Sequence, residues 1–393
     1  MKLAKRLDHI EPFYVMECAK AAALIAASPA CDPAQGGERM LFLNIGEPDF
    51  TAPPLVQEAA ERAIRAGRTQ YTEAMGLPAL REALSAWYAQ RFGLAVPARR
   101  IVITAGASAA LQLACLALFE AGDQVLMPDP SYPCNRHFVA AADAVARLLP
   151  TSAAQRFQLD AAAVAQAWTP ATRGVLLASP SNPTGTSIHP DELRRIDAVV
   201  SGHGGALIVD EIYLGLSYDD TFGHSALQLG EHIVSVNSFS KYFSMTGWRL
   251  GWLVLPEPLV APVERLAQNL FICASTIAQH AALACFQPES MAEYERRRAE
   301  FRARRDLVVP ALNRIGLTVP VLPDGAFYAY ADCSAHSPDS WDFALALMHS
   351  AHVALTPGRD FGRHDPARWL RLSFASSRDK LDEALHRLQR VLA

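Results

Sequence analysis

The sequence predicts an α/β fold, with a large domain built on a mostly parallel central sheet flanked by helices and a smaller α+β domain. Three observations carry this. From about residue 54 to 285, short apolar runs alternate with stretches whose apolar residues recur at helical spacing. Such alternation implies a parallel sheet covered on both faces. After Pro288 the alternation gives way to a charged helix followed by strands and helices in mixed order. The 393 residues are enough for two domains of unequal size, each with its own core.

Taken in order, the alanine-rich stretch 19–30 follows Lys2, Lys5 and Arg6 in the manner of a signal peptide. Asp8, Glu11 and Glu17 also precede it, and alanine is weakly hydrophobic, so it reads as an ordinary helix. Residues 28–38 read as a flexible loop. Buried strands are expected at 101–103, 124–127, 174–178, 206–209, 232–236 and 250–255, with helices such as 108–120 and 191–200 between them. The C-terminal part should hold a helix at 291–307, strands near 317–322, 326–332 and 370–374, and helices near 341–350 and 378–391. We therefore expect a large domain over 44–285 and a small one made of 1–43 and 286–393.

Composition narrows the function classes. A formal charge of −4 with 51% hydrophobic residues gives no electrostatic case for nucleic acid or an anionic membrane as partner. No apolar run approaches the roughly 18–20 residues that span a bilayer. The seven cysteines are scattered and include no Cys-x-x-Cys, which fits reduced thiols better than disulfides or zinc. The expectation is a soluble, cytoplasmic protein.

Chemistry concentrates around Lys241, in Ser238-Phe239-Ser240-Lys241 followed by Arg249. A lysine amine can form a Schiff base with a carbonyl. The hydroxyls of Ser238 and Ser240 and the Arg249 guanidinium can hold a phosphate beside it. A phosphorylated aldehyde that reacts with lysine points to pyridoxal phosphate; the bland alternative is a solvated basic turn. Asp210 follows the strand 206–209, where ligands meet parallel sheets, and a buried carboxylate there needs a cation such as a protonated pyridine. Standing alone it would more readily be read as capping the next turn. Asn182-Pro183-Thr184-Gly185 follows another strand and presents an amide. Gly106, Ala107 and Ser108 open an alanine-rich helix whose free amides make a phosphate cradle, though Ser108 could be a plain N-cap. Neither Gly-x-Gly-x-x-Gly nor a P-loop occurs at this turn, which argues against dinucleotide and nucleoside-triphosphate readings.

Asn182-Pro183-x-Gly185, Asp210-x-x-Tyr213, Ser238-x-Ser240-Lys241 and Arg249 resemble, in order and spacing, the fold-type I pyridoxal-phosphate enzymes. More narrowly the chain is similar to the class I/II aminotransferases related to aspartate aminotransferase. Gly46-Glu47-Pro48-Asp49-Phe50, Tyr71-Thr72, Pro357-Gly358-x-x-Phe361-Gly362 and Arg371-Leu372-Ser373-Phe374-Ala375 extend the resemblance over nearly the whole chain.

The resemblance implies an aminotransferase that moves an amino group between an α-amino acid and a 2-oxo acid by a ping-pong mechanism. Lys241 would hold the cofactor and then shuttle a proton, while Asp210 would keep the pyridine nitrogen protonated. Tyr213 and Asn182 would bind the phenolic oxygen, and Tyr132 would stack on the ring. Ala107, Ser108, Ser238, Ser240 and Arg249 would hold the phosphate, joined by Tyr71 from a second subunit, so a homodimer is implied. Arg371, with Gly46 and Asn182 beside it, would take the substrate carboxylate. Glutamate with 2-oxoglutarate is the expected donor pair for one half-reaction. A distal cation for a dicarboxylic substrate is not identifiable, with Lys20 and Arg136 among the candidates. Phe13 and Tyr14 would suit an apolar or aromatic side chain. The same lysine chemistry also serves C–S β-lyases. A non-catalytic effector domain of the GntR type would need a basic helix-turn-helix domain ahead of the fold, which the early Gly46 motif leaves no room for.

Overall fold

The computed structural model describes residues 2–12 and 14–392, so Phe13 lies outside the described residues. Among the described residues twelve strands form three sheets. In chain order they are β1 (Leu41–Phe42), β2 (Ile101–Thr104), β3 (Gln124–Asp129), β4 (Val145–Pro150), β5 (Thr172–Ala178) and β6 (Ala206–Asp210). Then come β7 (Val234–Ser238), β8 (Gly251–Val254), β9 (Tyr328–Asp332), β10 (Val353–Ala354), β11 (Thr356–Pro357) and β12 (Trp369–Ser373).

The central sheet runs β2-β8-β7-β6-β5-β3-β4. Neighbours from β7 through β4 pair parallel, while β8 runs antiparallel to both β7 and β2. Strands β2, β5, β6, β7 and β8 are buried through most of their length, as expected of a sheet with helices on both faces. The reversal of β8 matters for the site. It sets Gly251 opposite both Ser238 and Thr104, so the residues entering β8 lie beside those leaving β7 and β2.

A three-stranded antiparallel sheet, β11-β12-β9, occupies the C-terminal part, and β1 pairs parallel with β10. The N-terminal segment is thus tied to the end of the chain by backbone hydrogen bonds such as Leu43 N–H to the Ala354 carbonyl at 3.0 Å.

Several expectations are corrected. Strand β4 was not foreseen, because its half-exposed residues at the sheet edge and Arg147 break the apolar run. Residues 317–322 form no strand beyond a bridge from Thr318 to Asp332, since Pro320 removes a ladder donor and Pro323 follows. The stretch 28–38 is ordered into 3₁₀ turns at Pro29–Cys31 and Pro33–Gln35, the second capped by Asp32. The helix over Tyr14–Ala26 and the long helix Pro288–Arg314 match their expected places with shifted ends. Among the described residues no helix is long and apolar enough to cross a membrane.

Candidate active site

Four strands of the central sheet deliver a polar residue where the apolar run stops. Asp210 closes β6, Ser179 follows β5, Ser238 closes β7 and Thr104 closes β2. These carboxyl ends share one edge of the sheet, where α/β folds bind ligands.

Lys241 lies just past β7. Its Nζ donates to the Gly46 carbonyl at 2.7 Å and stands 5.9 Å from the ring centres of Tyr213 and Phe327. Burial pulls the amine down to about 8, with Glu47 and Asp210 opposing the fall and Arg371 and Arg249 adding to it. An amine at that level is a usable base and nucleophile near neutral pH. Asp210 is buried, and its Oδ1 accepts from the Ile212 N–H at 3.0 Å. Desolvation raises its carboxyl to about 6, resisted by the Ile212 amide and by Lys241.

The Tyr213 hydroxyl lies 2.7 Å from that of Tyr328, and both phenols are buried. Tyr132 starts the helix Pro133–Ala141 and lies close enough to feel Tyr328 and Asp210. Burial is the main cause raising its phenol.

The anion end of the site gathers at the reversed strand. The helix Gly106–Leu118 opens with Gly106 at φ +82°, a conformation that favours glycine. A Cβ there would meet Arg249 Nη2 at 2.6 Å, so the guanidinium lies directly against the helix start. Ser108 sits inside the first turn and Ala105 is the N-cap, so the plain N-cap reading of Ser108 does not hold. Ser238 Oγ accepts from the Ser240 N–H at 3.0 Å and lies 3.0 Å from Ser240 Oγ. Free first-turn amides, two hydroxyls and a guanidinium are the donor set a phosphate requires. With Lys241 and Asp210 at the other end, the residues present fit pyridoxal phosphate.

Arg371, in β12, is 2% exposed. It donates to Asn182 Oδ1 at 2.9 Å, the Asn44 carbonyl at 2.6 Å and Thr356 Oγ1 at 3.3 Å. Its guanidinium lies 4.5 Å from the Tyr328 ring centre and 4.8 Å from that of Phe361. Gly46 is small for a reason: a Cβ there would sit 2.4 Å from the Tyr328 hydroxyl. Gly185 (φ +66°) is likewise forced, because a Cβ would press on Pro323 and on the Tyr328 and Gly325 carbonyls.

Of the residues singled out from sequence, Gly46, Gly106, Asn182, Asp210, Tyr213, Lys241, Arg249 and Arg371 are joined by these contacts. Tyr71 is not drawn in; it is 79% exposed on the surface. Sequence reasoning missed Tyr328, Asn44, Thr356 and Asp360. Tyr328 carried no signal beyond its place in an apolar run.

The family model described as Aminotransferase class I and II matches residues 38–388. The chain is 40% identical over 380 residues to valine–pyruvate aminotransferase of Mycobacterium tuberculosis, covering 96% of each chain. It is 34% identical over 392 residues to aspartate/prephenate aminotransferase of Thermus thermophilus, covering 99% of this chain and 98% of that one. An aminotransferase crystal structure from Mycobacterium tuberculosis superposes with a TM-score of 0.93 at 38% identity, over 100% of this chain and 99% of that chain. Thermus thermophilus aspartate aminotransferase with maleate gives 0.91 at 34% identity, over the whole of both chains. Relatives with such names favour amino transfer over the β-lyase and effector-domain alternatives. The chain belongs to the class I and II aminotransferases and is a pyridoxal-phosphate-dependent enzyme that moves amino groups between amino acids and 2-oxo acids.

Proposed function

We propose that this enzyme takes its amino group from an α-amino acid with an uncharged side chain and that the residues above divide the work as follows. When bound, pyridoxal phosphate supplies an electron sink for the substrate's α-carbon. Gly106, Ala107, Ser108, Ser238, Ser240 and Arg249 hold its phosphate, and Tyr132 covers its ring. Asp210, a buried carboxylate at a strand end, supplies the negative charge that keeps a pyridine nitrogen protonated. Tyr213 and the NH₂ of Asn182 donate to the phenolic oxygen. Arg371 orients the substrate carboxylate, with Gly46 leaving room beside it. Lys241 Nζ removes the α-proton and returns a proton, which an amine near 8 can do in both directions.

The observation that carries the substrate class is the fate of the candidate distal cations. Arg136 is buried and committed to the Asp360 carbonyl at 3.4 Å and to Glu11 at 3.2 Å. Lys20 pairs with Glu17 at the surface, at 2.8 Å. Arg136 is thus already engaged, and Lys20 lies on the exposed surface. The relative named valine–pyruvate aminotransferase supports the same reading. We take glutamate and 2-oxoglutarate as the pair of the other half-reaction.

The reading extends to a homodimer. Tyr71, Leu270 and Ile272 are exposed apolar side chains, and the first is tied to the segment of the others through Thr276 Oγ1 donating to the Gln70 carbonyl at 2.7 Å. A second copy covering this face would bring Tyr71 to the partner's phosphate site. We take residues 44–285 as the cofactor domain and 1–43 with 286–393 as the small domain. The enzyme works in the cytoplasm, where its seven free cysteines remain reduced.

An absorption spectrum of the purified holoenzyme, repeated with alanine, valine, phenylalanine, aspartate and glutamate added separately, tests the proposal. Alanine or valine should convert the visible band to the amine form fastest. Conversion led by aspartate would overturn the substrate class.

A further inference from the structure

Tyr328 touches Tyr213, Gly46 and Arg371 without having an assigned task. Its hydroxyl is 2.7 Å from that of Tyr213 and faces Gly46, whose carbonyl holds the Lys241 amine. Its ring lies 4.5 Å beneath the Arg371 guanidinium. The β9–β12 register explains the second contact. Arg371 is opposite Tyr330, and Tyr328 is its diagonal neighbour on the same face.

A hydroxyl has one proton to give and two lone pairs. If Tyr213 donates to the cofactor's phenolic oxygen, its proton is committed. The hydrogen bond between the two tyrosines must then be donated by Tyr328. Such a chain polarises, so that the incoming bond strengthens Tyr213 as a donor. A donor on the phenolic oxygen competes with the proton on the adjacent lysine-derived nitrogen, and that nitrogen then titrates at lower pH.

We propose that Tyr328 is a positioning residue that fixes the proton direction of Tyr213 and the plane of Arg371, linking the cofactor's phenolic oxygen to the substrate carboxylate through one side chain. This rests on the assignments of Tyr213 and Arg371 given above. The two contacts separate by substitution. Tyr328→Phe deletes the hydroxyl and keeps the ring, whereas Tyr328→Leu deletes both.

The test is a pH titration of the holoenzyme's visible band in the parent, Tyr213→Phe, Tyr328→Phe and the double variant. Tyr328→Phe should raise the midpoint by about half to one pH unit, roughly the effect of one hydrogen bond. Tyr213→Phe should raise it further, and the double variant should match Tyr213→Phe, because Tyr328 acts only through Tyr213. An unchanged midpoint in Tyr328→Phe, with Tyr213→Phe shifted, overturns the proposal. An unchanged midpoint in Tyr213→Phe instead overturns the assignment of Tyr213 on which it rests. For the second contact, Tyr328→Leu should raise KM for the amino acid about tenfold beyond Tyr328→Phe, through loss of the stacked ring. Equal KM values in the two variants would remove Arg371 from the proposal. A purely structural tyrosine would lower thermal stability without moving the midpoint. Should Tyr328→Leu not fold, the titration of Tyr328→Phe still decides the hydroxyl's role.

Discussion

Replacing Gly46 with alanine tests how tightly the site is built around Tyr328. The backbone at Gly46 has no positive φ, so alanine is conformationally allowed and the effect is steric. The added methyl would lie 2.4 Å from the Tyr328 hydroxyl, and its next contact, Tyr328 Cζ, is at 3.4 Å. Two relaxations are available. Tyr328 can retreat, which lengthens its 2.7 Å bond to Tyr213 and tilts the ring under Arg371. Otherwise residue 46 can retreat, which pulls its carbonyl from Lys241 Nζ. Overpacking of this kind costs about 1–3 kcal/mol, so kcat/KM should fall roughly 10- to 100-fold. Tyr328→Phe removes the atom in conflict and leaves only an ordinary contact. Gly46→Ala should therefore cost little in a Tyr328→Phe background. A double-mutant cycle on kcat/KM should give a coupling of about 1–2 kcal/mol in the direction of rescue. Additive effects, or a fully active Gly46→Ala, would refute the reasoning.

Three other perturbations read separate parts of the site. Arg371→Lys leaves Asn182 Oδ1 and the Asn44 carbonyl without their planar donor and should raise KM about 100-fold while the visible band persists; an unchanged KM would remove Arg371 from carboxylate binding. Asp210→Ala should retain cofactor but slow α-proton exchange by about 10²–10⁴, and exchange at the parent rate would take Asp210 out of the mechanism. Glu211 is fully buried, accepts from Ser225, Ser235 and the Ala226 amide, and is pushed up to about 7 by desolvation. Its folded value lies above the ordinary one, so its contribution to stability is present below about pH 4.5 and is lost as pH rises through about 7. Thermal scans of the cofactor-stripped chain should show Tm falling over that window, and Glu211→Gln should flatten the fall by about 3 kcal/mol. Equal slopes in the two proteins would contradict this.

What the sequence made legible is what local order encodes. Asp210, Ser238 and Asn182 stand where apolar runs end, so strand periodicity alone aims them at the sheet's ligand edge. Arg249 was harder to place. Its meaning depends on β8 running antiparallel, which puts Gly251 opposite both Ser238 and Thr104. Tyr328 and Asn44 were invisible because each acquires its role from a partner far along the chain. Tyr328 meets Tyr213 across 115 positions, and Asn44 meets Arg371 across 327. In the sequence Tyr328 looks like a core strand residue, and it is one: its ring is buried. The proposed link to Tyr213 runs through its hydroxyl, and no pattern of apolar residues reports on a single oxygen. Strand β4 escaped for a different reason, since an edge strand is half-solvated and loses the apolar run by which buried strands are recognised.

The surroundings of Arg371 suit the carboxylate-binding role proposed for it. Among the described residues it has no acidic partner within ion-pair distance, although it is almost wholly buried. Its donors go to an amide oxygen, a carbonyl and a hydroxyl, and aromatic rings cover it. Neutral groups hold the fork in place without cancelling its charge. Asp360, the acid that feels it, accepts at Oδ1 from the Tyr14 N–H at 2.9 Å, and burial lifts its carboxyl to about 6. A desolvated guanidinium without an ion-pair partner is costly, and a carboxylate bound there would recover part of that cost. The same uncancelled charge adds to the burial that lowers the Lys241 amine. Substrate carboxylate at Arg371 should therefore raise the basicity of Lys241 when proton transfer is due, and the cage that leaves Arg371 unpaired is what makes that coupling possible.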